Sequence, residues 1–197
     1  MIIEYTGAPA CGKTTIVNNL CSKKYNLSYK YKINFFGKLI FHFYLTFPFV
    51  LKDYKEILKK LNINNMYKKN IYTKKYDISM IIKFLGYVCH LYKKFYYKKE
   101  TYYLDEGIIH YLIALESEYN VPHEACVNFL TKQMEKYSIK CFYINIDEKK
   151  CFENFKIRNR KQTAIDYLDN SNIFNLIKKY NIIIKTYIGD FKIKEII

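Results

Sequence analysis

The stretch Gly7-Ala8-Pro9-Ala10-Cys11-Gly12-Lys13-Thr14-Thr15 constrains this chain more than any other. It fits G-x-x-x-x-G-K-[ST], the Walker A pattern of a loop that wraps phosphate. Its flanks fit as well. Ile2-Ile3-Glu4-Tyr5-Thr6 before it is a β-prone run, and Thr15-Ile16-Val17-Asn18-Asn19-Leu20 after it can begin a helix. Gly7 and Gly12 allow backbone angles and a close approach that a Cβ would block. Successive N–H groups turned inward make a nest for anionic oxygens. The positive end of the helix beginning near Lys13 adds to that field. Lys13 is expected to reach the β- and γ-phosphates as a point charge, and Thr14 to offer its hydroxyl to Mg²⁺.

The rest of the chain alternates strands and helices, which predicts an α/β fold with a parallel sheet and helices on both faces. The expected strands are 2–6, one near 27–33, 101–104, 141–146 and a last one over 181–187. Helices are expected over 13–24, 36–61, 78–97, 108–118, 122–137, 148–157 and 173–180, with a polar loop over 62–75. In the helix over 78–97, Met80, Ile81, Phe84, Leu85, Val88 and Leu91 fall at helical spacing. At 197 residues, with half of them hydrophobic, the chain reads as one domain over 1–197 with a full core.

A net charge of +15 invites a nucleic-acid or membrane partner. The lysines, however, come as scattered pairs such as Lys23-Lys24, Lys68-Lys69 and Lys98-Lys99, which read as solvated surface rather than a binding stripe. Nucleic acid is therefore not the expected partner. The six cysteines show no C-x-x-C pair or metal spacing, and a loop of this kind implies cytosolic ATP or GTP, so they read as reduced thiols in a cytoplasmic protein. The start of the chain reads as the first strand, not a signal peptide. The apolar segment Phe35–Leu51 is interrupted by Lys38, His42 and Pro48, and falls short of the ~20 residues a membrane span needs. It is expected to be a buried or partly exposed helix, with contact to a membrane surface or a lipid-like acceptor as the alternative.

Two further features carry chemistry. Asp105 ends the apolar run Thr101–Leu104, where a carboxylate can hold Mg²⁺ opposite Thr14. In open parallel sheets, ligands bind outside the carboxyl ends of strands, so Asp105 and Lys13 should converge. Glu106, next in line, is a candidate acceptor for the proton of an attacking hydroxyl. Of 33 basic residues only two are arginine, Arg158 and Arg160, both just after an expected helix. Their planar forks suit phosphate oxygens in a way lysine does not, and their placement suits a lid over 156–172 that closes on the phosphates.

Taken together, MIIEYTGAPACGKTT, YYLDEG and FYINIDEKKCFENFKIRNR resemble the P-loop nucleoside and nucleotide kinases, broadly the thymidylate-kinase-like group. That resemblance implies a P-loop NTPase fold with a five-stranded parallel sheet flanked by helices, a helical acceptor-binding region over 36–100 and an arginine lid. It implies transfer of the γ-phosphate of ATP, with Mg²⁺, to a hydroxyl or phosphate acceptor such as a nucleoside, a nucleotide or a sugar-like metabolite. Residues 7–15 would hold the nucleotide, Thr14 and Asp105 the metal, and Lys13, Asp105, Glu106, Arg158 and Arg160 would serve the transfer. Ile188-Gly189-Asp190 would form a turn near the adenine. The partners are then a nucleotide and a small acceptor, with a homodimer compatible. Three features depart from the group: Glu106 stands where an arginine is usual, the middle of the chain has no arginine to clamp an acceptor phosphate, and Lys32-Ile33-Asn34-Phe35 stands where the deoxynucleoside kinases usually carry an acid after the second strand. A non-catalytic nucleotide switch and a nucleic-acid-stimulated NTPase are the alternative readings.

Overall fold

A computed structural model describes residues 1–20, 55–64, 68–74, 78–98, 101–158 and 164–196. Strand β1 (Ile2–Thr6) is central, and all five of its residues are buried. A strand buried on both faces belongs inside a parallel sheet covered by helices. β2 (Tyr102–Leu104) pairs with it on one side and β3 (Ile139–Ile144) on the other, with β4 (Lys194–Ile196) beyond β3. Every pairing is parallel, and the order is β2-β1-β3-β4. Glu4 lies in register with Leu104 on one side and Cys141 on the other.

The helices are α1 (Lys13–Leu20), α2 (Ile78–Lys98), α3 (Ile108–Tyr119), α4 (His123–Lys136), α5 (Glu148–Arg158) and α6 (Asn170–Asp190). A short 3₁₀ helix spans Ala164–Tyr167, and residues 55–60 are also helical. α2 and α3 pack on each other and against β1, and α6 packs on α3 and α5. α2 buries Ile78, Ile82, Leu85, Val88 and Tyr92, the i, i+4, i+7 stripe that a core-facing helix requires. Each aliphatic side chain so buried contributes about 1.5–3 kcal/mol.

Several expectations change. The five-stranded sheet has four strands among the described residues; the strand expected near 27–33 lies outside them, as do most of 36–61 and all of Phe35–Leu51. Of the stripe expected on α2, Leu85, Val88 and Leu91 are buried and Ile81 and Phe84 half-buried, while Met80 is 44% exposed. The strand expected over 141–146 begins and ends two residues earlier. The strand expected over 181–187 does not exist: α6 runs unbroken through it, and the sheet edge is made by β4 instead.

The reason lies in packing. Ile173, Leu176, Ile177, Tyr180, Ile184 and Tyr187 are buried at helical spacing, while Ile182 between them is 64% exposed. A β-branched run favours a strand only where a pleated neighbour is offered, and here α3 offers a helix-packing face. The helix begins at Asp169, whose carboxylate accepts the Asn172 N–H at 2.8 Å. Ile188-Gly189-Asp190 is accordingly the last turn of α6 rather than a loop turn. Among the described residues no helix is long and apolar enough to cross a membrane, and Cys11, Cys89, Cys126, Cys141 and Cys151 are free thiols.

Candidate active site

The loop after β1 and the turn after β2 emerge side by side from the carboxyl edge of the sheet. They meet: Thr14 Oγ1 donates to Asp105 Oδ2 at 2.6 Å. Asp105 is buried at the end of β2. Its burial raises the carboxyl above the usual aspartate range, the Thr14 hydroxyl opposes that rise, neighbouring Glu106 adds to it and Lys13 opposes it. One hydroxyl and one carboxylate are a donor set for Mg²⁺, which keeps most of its waters and takes one or two protein oxygens beside phosphate oxygens. The residues present therefore fit that ion.

The loop itself has the shape a phosphate needs. Ala10 (φ 63°) and Gly12 (φ 91°) both lie in the left-handed region, and alternation of hand turns neighbouring N–H groups toward one concavity. Gly7 admits no side chain: a Cβ there would lie 2.4 Å from Cys11 Sγ and 3.1 Å from the Ile144 carbonyl. Gly7, Ala8 and Cys11 are buried, Pro9, Ala10 and Gly12 half-buried, and Thr14 and Thr15 stand exposed at the start of α1. Lys13 Nζ donates to the carbonyls of Gly7 at 2.8 Å and Ala8 at 3.0 Å, with Cys11 Sγ at 3.6 Å. Anionic phosphate oxygens are stronger acceptors than these carbonyls, so the ammonium has cause to move outward when they arrive.

Glu106 is half-buried and accepts from the Tyr111 hydroxyl at 3.1 Å. The Tyr111 ring stacks on Phe84 of α2 at 5.9 Å between centroids. Arg158, at the end of α5, donates to Asp166 Oδ1 at 2.8 Å, and its guanidinium lies over the Phe155 ring at 4.8 Å. Arg158 is thus tied to the far side of the expected lid; Arg160 lies outside the described residues.

Three participants escaped the sequence reading. Asn154 Nδ2 donates to the Ala10 carbonyl at 3.3 Å and so ties α5 to the loop. Tyr111 carries no signal in the sequence beyond its place in a helix. Glu4 is fully buried in the middle of β1. Its Oε1 accepts the His110 N–H at 3.1 Å, and its Oε2 accepts the Tyr92 hydroxyl at 2.8 Å. The Tyr92 oxygen in turn accepts the Ile108 N–H at 3.3 Å. Burial pushes the Glu4 carboxyl up to about 7 against the lowering pull of Tyr92 and the amides of His110, Ile109 and Ile108. A charged residue inside an otherwise apolar central strand was the available signal.

No protein-family model matches the chain, and no curated protein matches its sequence. Solved structures do match its fold. Deoxyadenosine kinase from M. mycoides with bound dATP superposes with a TM-score of 0.56 at 16% identity, over 100% of this chain and 90% of that one. The same enzyme with dCMP and a flexible dCDP gives 0.56 at 18% identity, over 100% and 90%. With bound dCTP it gives 0.51 at 17% identity, over 100% and 89%. At these identities the likeness shows a shared fold and no more. These neighbours are one deoxyadenosine kinase, whereas the sequence leads to the expectation of a thymidylate-kinase-like relative.

Proposed function

We propose that this chain is a nucleoside kinase, transferring the γ-phosphoryl group of ATP to a hydroxyl of a nucleoside with the help of Mg²⁺. The observation that carries the reading is the 2.6 Å contact between Thr14 and Asp105 at the mouth of a phosphate-shaped loop. The likeness of fold to deoxyadenosine kinase supports it and directs the choice of acceptor.

In this reading the loop amides and Lys13 bind the β- and γ-phosphates, while Thr14 and Asp105 hold the ion. Mg²⁺ supplies neutralisation of charge on the β- and γ-oxygens. Glu106, held by Tyr111, accepts the proton of the attacking hydroxyl. An acid at this place repels an acceptor that already carries phosphate, which favours a neutral alcohol over a nucleotide. Arg158, on exchanging Asp166 for phosphate oxygens, then steadies the transferring group.

The test is transfer from Mg-ATP to pooled nucleosides and deoxynucleosides, read by mass spectrometry of the monophosphate. Wild type should give product, and Lys13→Ala should lose it by on the order of 10²–10³-fold. Full transfer by Lys13→Ala would overturn the mechanism.

A further inference from the structure

Three residues separate the end of β2 from the start of helix α3: Asp105, Glu106 and Gly107. Whatever fixes the first turn of α3 therefore fixes both acids of the site. The ordinary device is absent: Gly107 is the N-cap residue and has no side chain to bond the free amides. Glu4 supplies the missing acceptor from another element. Its two oxygens take the His110 N–H and the Tyr92 hydroxyl, and Tyr92 holds the Ile108 N–H. The carboxyl group lies at the positive end of the helix, which favours its charged form. It also fills the space beside the turn, since a Cβ on Gly107 would fall 2.1 Å from Glu4 Cδ.

We propose that Glu4 is a positioning residue: from inside β1, together with Tyr92, it sets the place of the Asp105–Glu106 turn relative to the phosphate loop. The logic is one of shared origin. β1 continues directly into the loop, and the Glu4 carboxylate on β1 grips the turn that follows β2. One strand thus indexes both halves of the site. The proposal rests on the nucleoside-kinase reading for its effect on turnover, but not for its effect on ion binding.

The experiment compares wild type, Glu4→Gln and Tyr92→Phe in three measurements. These are thermal unfolding, Mn²⁺ binding by electron paramagnetic resonance in the presence of ADP, and kcat and KM for ATP with pooled deoxynucleosides. Glu4→Gln keeps the shape but turns an amide N–H₂ toward a Tyr92 hydroxyl that has been donating. The expected result is a kcat lower by on the order of 10- to 100-fold, with a parallel loss of Mn²⁺ affinity. ADP affinity without metal, held by the loop and Lys13, should stay within about twofold. Tyr92→Phe, which removes one donor to Glu4 and the acceptor of the Ile108 N–H but leaves the carboxyl group and its bond to His110, should show a smaller loss of the same kind and covers the case in which Glu4→Gln does not fold. Wild-type kcat and Mn²⁺ affinity in folded variants, with only the melting temperature lowered, would overturn the proposal and leave Glu4 a core residue. Loss of Mn²⁺ affinity with no transfer by wild type would uphold Glu4 and sink the kinase reading instead.

Discussion

At its N-terminal end α3 receives a buried acid from β1, whereas at its C-terminal end, about 18 Å away, it carries two of its own, Glu116 and Glu118. The first acid lies where the helix field welcomes negative charge, and backbone amides with one phenol suffice for it. The other two lie at the negative end and need partners from elsewhere. Glu118 accepts from the Tyr180 hydroxyl at 2.8 Å and from the Asn70 amide at 2.7 Å. Glu116 accepts from the Tyr187 hydroxyl and lies 2.9 Å from His123 Nδ1. His123 also meets Asp190 at 3.1 Å; burial alone would depress its pKa, and the two acids outweigh that. Lys179 closes the end of the helix by donating to the Ser117 carbonyl at 2.8 Å and Asn120 Oδ1 at 3.1 Å. One end of α3 thus joins a strand to a site, while the other staples α4, α6 and residues 68–74 into the fold.

If that division holds, damage at the first end should be read in chemistry and damage at the second in stability. The largest effect expected is for Asp105→Asn: turnover lower by on the order of 10²–10³-fold, with a melting temperature near that of wild type, measured by steady-state assay and thermal scan. Next is Glu118→Ala, which takes the shared acceptor from the Tyr180 hydroxyl and the Asn70 amide inside the core. It should cost about 3 kcal/mol in urea unfolding and leave kcat per folded molecule unchanged. A large fall in kcat would break the comparison.

Smaller, and sharper, is the pH dependence. Burial raises the Glu118 carboxyl to about 7, as it does Glu4. Folded protein then binds more protons than unfolded protein between pH 4.5 and about 7, so each group's contribution is complete below pH 4.5 and lost as pH rises through 7. Glu118→Gln should remove about 2 kcal/mol of that slope, seen as a flatter line of unfolding free energy between pH 5 and 7. The smallest effect is for Lys179→Met, which takes a cation from the negative end of α3 and should cost about 0.5–1 kcal/mol in the same urea assay.

The sequence made the loop legible because few residue types can adopt its backbone, and Asp105 because an acid at the end of an apolar strand has few other uses. It made α2 legible through periodicity. It misled over Asn181–Tyr187, where three isoleucines in a row favour a strand locally but the buried positions Tyr180, Ile184 and Tyr187 follow helix spacing set by α3. It hid Glu4, because a carboxylate in a strand looks like surface until the helix start that faces it is known. Arg158 reads as a phosphate ligand by residue type, while in the fold one of its Nη atoms donates to Asp166.

The close approach of Glu4 to Gly107 has a consequence for how this sequence can drift. Any side chain at 107 collides with the glutamate, and any shortening at 4 strips the helix of its acceptor. Neither position can change alone without loss, but the two can change together: a small residue at 4 with Ser or Asp at 107 would move the cap from the strand to the helix's own N-cap position. Related chains should therefore fall into two groups, one with a long acid at the first place and glycine at the second, the other with a short residue and a capping side chain, and few in between.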